Sequence, residues 1–329
     1  MTVPFFDTMD LLKHDNCILE NFKFQNGAVL ENVNVAYSTM GKPKYDDEGK
    51  ITNLILLSHS YEESFESYWG KDIILSEDFL FDRKDYFFVI IIPLGIPDSC
   101  SPSLTKLNHN FPKYTFEDRV NFKRQFLKEK FDFTKIHAIL ANSVGGYESL
   151  VWAYMYPDDM ELLIVLSVTY RIRGDNYIVA LSIKEIIESN ENFYDEIYDN
   201  SLIKMMLPLF KLCYINSIPK NKLFYSDHDE IDMFLADFED RSLFRDIYDF
   251  YYVNELLINY DIEDKLSNVK AKTLVIGDTN HIYYDFETDI LPFKELIKDS
   301  TVVSVCLERN VDENGDFSDY LNSLKNFLN

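Results

Sequence analysis

Glycine is scarce in this chain, 10 residues among 329, well under half the usual ~7%. No low-complexity linker and no internal repeat is found. Cysteine is also sparse. Cys17, Cys100, Cys213 and Cys306 lie far apart, with no CxxC and no Cys/His cluster. That spacing signals neither a zinc site nor a disulfide framework, so no metal is expected, and reduced thiols in a cytoplasmic protein are the expectation. Basic residues are outnumbered, 32 Lys and Arg against 56 Asp and Glu, for a net charge of −24. A chain so charged repels nucleic acid and anionic membrane, and neither is expected as a partner. Long apolar runs are missing too. The longest, "YFFVIIIPLGI" (Tyr86–Ile96), is too short to cross a bilayer. The opening "MTVPFFDTMDLLKHDN" has no basic region followed by an apolar run, so no secretory signal is expected. Of 6 histidines, none follows His281.

What remains is globular material, 47% hydrophobic with 26 Phe and 22 Tyr. "VLENVNVAY" (Val29–Tyr37) alternates roughly, as an antiparallel edge strand would. Continuous apolar runs occur at Asn53–Ser58, within Tyr86–Ile96, and at Ile136–Ala141, Leu162–Val168, Thr273–Gly277 and Thr301–Leu307. Such runs belong to a parallel sheet covered on both faces. Helical patterns separate several of them. In Thr115–Phe131, Thr115 is the expected N-cap, with Asp118 three residues on. The alternation predicts an α/β, doubly wound, mostly parallel sheet. Between Arg171 and Asp264 the pattern turns helical and aromatic. The expected organisation is a core domain of residues 1–170 and 265–329, with a helical lid insertion over 171–264.

The most informative stretch is "ILANSVGGYESLVWAYMYP" (Ile139–Pro157). An apolar strand runs into a turn bearing Ser143, and Gly145, Gly146 and a helical pattern follow. Small residues beside a serine on a tight strand-to-helix turn mark a nucleophile elbow, written G-x-S-x-G. Here Ala141 stands at the first glycine. By itself the pentapeptide also fits a serine in an ordinary turn.

Longer segments carry a resemblance. "GAVLENVNVAYSTMGKP", "DRKDYFFVIIIPLGIPDSCSPS", "FPKYTFEDRVNFKRQFLKEKF" and "SVGGYESLVWAYMYPDDMELLIVLS" occur in this order. Together they resemble the homoserine O-acetyltransferase family of α/β hydrolases over about Gly27–Ser167, and again over Lys272–Asn329. The lid matches poorly. The resemblance implies an α/β-hydrolase fold and acyl transfer through Ser143, with acyl-CoA as co-substrate and no bound cofactor. It implies an oxyanion hole from the amides of Val144 and Tyr61. Glu62 and Glu63 beside that loop oppose the charge that must develop there.

The triad departs from the family. Where the resemblance places the orienting aspartate, in "IGDTNHIYYD", stands His281 or Asn280. Where it places the histidine, in "LERNVDENGDFSDYL", there is none. One arrangement restores a triad: His281 serves as base, oriented by Asp316, Asp312 or Glu313. The alternative is that His281 only fills space. His59, His137, His14, His109 and His228 are read as structural or surface residues. Arg171 and Arg173, just past the sixth strand, are placed to bind a carboxylate or phosphate, or to pair with acidic lid residues. Lys184 falls near the family's carboxylate-binding arginine and keeps its charge without its fork.

Two functions are therefore expected in competition. One is an acyltransferase or esterase acting through acyl-Ser143. The other is a catalytically silent pseudo-hydrolase that binds a ligand or partner. A small-molecule substrate or ligand is expected in either case, and a homodimer through the lid is a further expectation.

Overall fold

The computed structural model describes residues 12–58, 80–195, 201–202, 204–205, 208–209, 211, 227–233, 246–279, 281, 283–306 and 318–329. Tyr61, Asp316 and the alternatives Asn280, Asp312 and Glu313 lie outside them.

One sheet of eight strands organises the described residues, in the order β1-β2-β4-β3-β5-β6-β7-β8. The strands are β1 (Lys13–Lys23), β2 (Val29–Gly41), β3 (Leu54–Ser58), β4 (Phe87–Ile91), β5 (Ile136–Asn142), β6 (Met160–Leu166), β7 (Lys272–Asp278) and β8 (Ser300–Val305). β4, β3, β5, β6, β7 and β8 pair in parallel, while β2 runs antiparallel to both β1 and β4. The apolar runs behave as expected in the middle, where every residue of β3 and β4 is buried.

Both margins differ from the expectation. β2 is not an edge strand. β1, whose sequence KHDNCILENFK is mostly exposed, covers its outer side and takes the edge. At the far margin β8 is only partly buried rather than covered on both faces, and among the described residues no strand lies beyond it.

Helices flank the sheet. α1 (Phe116–Lys130) begins at Thr115, whose side chain accepts from the Asp118 amide while the Asp118 carboxylate takes the Thr115 amide. This reciprocal cap satisfies two donors that a helix start leaves orphaned. α2 (Ser143–Met155) follows β5 without a break. Between β6 and β7 the described elements are helical, chiefly α3 (Gly174–Glu188) and α4 (Ile247–Ile258), and these two pack together. Asn254 on α4 donates to the Ala180 carbonyl at 2.7 Å. α5 (Ser318–Leu328) packs on β7 and β8. Among the described residues, no helix is long and apolar enough to cross a membrane.

Candidate active site

β3 and β5 are neighbours, but the chain leaves β3 toward β4 on one side and leaves β5 toward β6 on the other. Their carboxyl ends therefore flank the switch point of the sheet, where open α/β sheets bind ligands. Ser58 ends β3, opposite Ala141 in register, and Ser143 follows two residues later.

Ser143 has φ +49° between the extended Asn142 (φ −140°) and the helix it opens. A left-handed conformation at a residue with a side chain is strained and persists only where its surroundings impose it. Part of that imposition is visible at Gly146. A Cβ there would meet Val168 Cγ1 at 2.2 Å, so α2 lies closer to the end of β6 than any side chain allows. The first-turn amides of α2, Val144 included, have no intrahelical acceptor. The positive end of the helix dipole is thus presented beside the serine. The Asn142 Oδ1, also here, is buried without a hydrogen-bond partner among the described residues.

His281 lies just past β7. Its ring stacks on Tyr284 with centroids 4.1 Å apart and planes 10° from parallel. Its Nδ1 accepts the Tyr283 amide at 3.2 Å. A neutral imidazole that accepts at Nδ1 carries its proton on Nε2. In this orientation Nε2 is a donor. For Nε2 to take a proton, the ring must release the Tyr283 amide and move its own proton to Nδ1.

The basic candidates all face carboxylates of the chain itself. Arg171 Nη1 lies 2.7 Å from Glu263, which precedes β7. Arg173 Nη2 lies 2.5 Å from Asp289 and 2.9 Å from Thr288 Oγ1, both beyond β7. Lys184 Nζ meets Glu188 at 2.5 Å, Glu255 at 2.6 Å and the Tyr251 hydroxyl at 3.1 Å. An ammonium has three donors, and these partners use them all. The remaining described histidines are placed as follows. His137 is half-exposed on β5, stacks on Tyr86 and lies 2.9 Å from Glu161. His14 is exposed and bonds Ser38. His109 is half-buried, and His228 is exposed.

Two polar groups near this end of the sheet were not singled out by the sequence. Asp249 on α4 is buried and takes the Ser103 amide at 2.9 Å as well as the Ser103 hydroxyl. It fastens α4 to the chain that follows β4. Burial pushes its carboxyl up to about 6, against the opposing pull of the Ser103 bonds. The second is a buried set of ions, Arg119 and Lys123 on α1 and Glu148 on α2. Glu148 stands alone among the apolar residues of its helix, and that isolation was its only signal in the sequence. Among the described residues, no cluster of His, Cys, Asp or Glu is arranged to hold a metal ion.

No family model matches the chain. A probable acyltransferase of Methanothermobacter thermautotrophicus is 30% identical over 306 residues, spanning 92% of this chain and 94% of that protein. A homoserine O-acetyltransferase of Corynebacterium glutamicum is 27% identical over 182 residues, spanning 53% of this chain and 48% of that protein. Among solved structures, a homoserine O-acetyltransferase from Bacillus anthracis superposes with a TM-score of 0.79 at 19% identity, over 97% of each chain. An acetylester hydrolase from Corynebacterium glutamicum superposes with a TM-score of 0.77 at 18% identity, over 96% of this chain and 95% of that one. At such identities these superpositions establish a shared fold.

Proposed function

Because the chain belongs to the homoserine O-acetyltransferase family of α/β hydrolases, we propose that it transfers acyl groups through Ser143, from acyl-CoA or a small ester. The observation that carries this reading is the left-handed Ser143 at the junction of β5 and α2. A serine is held in that strained geometry when its Oγ must stand clear of the sheet.

In the first half-reaction Ser143 Oγ attacks the acyl carbonyl carbon and its proton passes to a base. The carbonyl oxygen takes the negative charge, facing the Val144 amide and, as the family resemblance implies, the Tyr61 amide. The C–S or C–O bond then breaks, and the leaving thiol or alcohol takes the proton. In the second half an acceptor hydroxyl or water gives its proton to the same base and attacks the acyl-serine, and Oγ recovers a proton as it leaves. The base is His281 in the tautomer with its proton on Nδ1, which a carboxylate of Asp312, Glu313 or Asp316 accepts and so orients the ring. A fluorophosphonate probe tests the reading. One adduct on the wild-type chain, mapped to Ser143 and missing in Ser143→Ala, supports it.

A second reading rests on the Nδ1 bond to Tyr283 and on the lack of any histidine after His281. Under it the chain is a silent relative that binds a ligand or partner at the same edge of the sheet. Failure of the probe to label the wild type at any pH from mild acid to mild alkali selects this reading over the first.

A further inference from the structure

The ions between α1 and α2 have no part in the reaction as written above. The side chains of Arg119, Lys123 and Glu148 expose 3%, 1% and 2% of their surface. Lys123 Nζ lies 2.6 Å from Glu148 Oε1, and Arg119 Nε lies 3.1 Å from Glu148 Oε2. Lys123 also donates to Ser58 Oγ at 3.1 Å. Two cations thus share one anion, and Arg119 Nη1 is buried with no hydrogen-bond partner among the described residues. Burial disfavours the charged Lys123, and Glu148 restores part of the loss.

Stability alone does not account for this cluster. The surrounding residues of α1, Val120, Phe122, Phe126 and Leu127, are buried and apolar. Replacing buried ions by apolar side chains of similar volume commonly leaves stability equal or higher. The position of the cluster is more specific. Ser58 is the last residue of β3, and the chain runs from it directly into the segment containing Tyr61. Glu148 sits five residues past Ser143 on the same helix. A single ammonium therefore joins the two chain segments whose amides would cradle the oxyanion. With Arg119 it also sets two cations against one carboxylate beside the end of β3, in a chain of net charge −24.

We infer that Lys123 and Glu148 are positioning residues, which lock the Ser143 elbow to the end of β3 and bias the site toward a developing negative charge. This role rests on acyl transfer through Ser143. Preorganised groups of this kind act on the transition state rather than on binding.

The test compares the full chain with Arg119→Met/Lys123→Met/Glu148→Met and with Ser58→Ala. Three quantities are measured: the thermal midpoint, the maximal rate and half-saturating concentration of fluorophosphonate labelling, and hydrogen exchange over residues 139–149. The triple variant is expected to melt at or above the wild type. Its maximal labelling rate should fall tenfold or more, with half-saturation unchanged within twofold. A folded triple variant that labels within twofold of the wild-type rate overturns the inference. If the triple variant does not fold, Ser58→Ala decides, since it cuts only the link to β3. A threefold or greater loss of maximal rate is expected, and an unchanged rate overturns the inference. If the wild type is not labelled, the acyl-transfer reading fails separately, and exchange settles the positioning role. Faster exchange over 139–149 in a triple variant of equal stability upholds the lock, and equal exchange overturns it.

Discussion

The hydroxyl of Tyr284 accepts the amide hydrogen of Asp278, the last residue of β7, at 3.1 Å. The ring on which His281 lies is thus tied to the end of β7. The imidazole stacks on a ring fixed to the sheet, and the Tyr283 amide engages its Nδ1 as an acceptor. Once the Tyr283 amide is released, a shift of the ring proton from Nε2 to Nδ1 keeps the stack and frees Nε2 to accept. Proton transfer by a positioned base contributes about 10²–10⁴-fold. His281→Ala is therefore expected to slow fluorophosphonate labelling of Ser143 by about a hundredfold or more, read as a rate constant. Equal rates in variant and wild type place the base elsewhere.

Gly146→Ala should destabilise the fold. The added methyl would overlap Val168, which is fully buried. Overpacking of a tight core costs about 1–3 kcal/mol. Val168→Ala removes the clashing Cγ1, so the double variant should recover much of that loss. Denaturant midpoints for the four proteins of the cycle measure the coupling, and additive effects would show that α2 does not press on β6 at this point.

Asp249 should make stability depend on pH in a particular direction. Its folded-state pKa of about 6 lies above its ordinary value of 3.8. Between those values the folded chain holds a proton that the unfolded chain has lost. This group's contribution is therefore fully present below about 3.8, declines as pH rises and is lost by about 6. The change is on the order of 3 kcal/mol at ~1.36 kcal/mol per pKa unit. Asp249→Asn retains an acceptor for the Ser103 amide and does not titrate. Relative to wild type, the variant should gain stability as pH rises from 4 to 6.5, measured by denaturant unfolding. A flat difference across that range refutes the shift.

Homoserine is expected to be a poor acceptor. Lys184, at the place the family resemblance gives to carboxylate binding, already meets two carboxylates and a phenol. Arg173 is held by Asp289. A substrate carboxylate would have to displace one of these partners against an acidic chain. Purified protein with acetyl-CoA should release no thiol above background when homoserine is added. Homoserine-dependent release that disappears in Ser143→Ala would overturn this.

The sequence revealed the parts that obey short-range rules. The central strands are apolar because both faces are covered, the Thr115–Asp118 pair caps its helix, and the Ser143 turn announces itself by the small residues around it. Three features stayed hidden for physical reasons. β1 is polar because it is an exposed edge, so KHDNCILENFK carries little strand signal. Arg173 and Asp289 meet across 116 positions of sequence, as only the folded sheet brings them together. The Lys123–Glu148 pair breaks the rule that charges face water, and a pattern that assigns charged positions to the surface misplaces both.

The splice between β6 and β7 also bears on how such a chain can change over generations. These strands are hydrogen-bonded neighbours, yet roughly a hundred residues of chain leave the sheet and return between them. The entropy of closing a loop grows only with the logarithm of its length, so doubling it costs only ~0.6 kcal/mol. Sequence can be lost, gained or rewritten there without disturbing the register of Leu166 with Ile276 or the turn that holds Ser143. New recognition surfaces can thus be tried above a fixed elbow at small cost to folding.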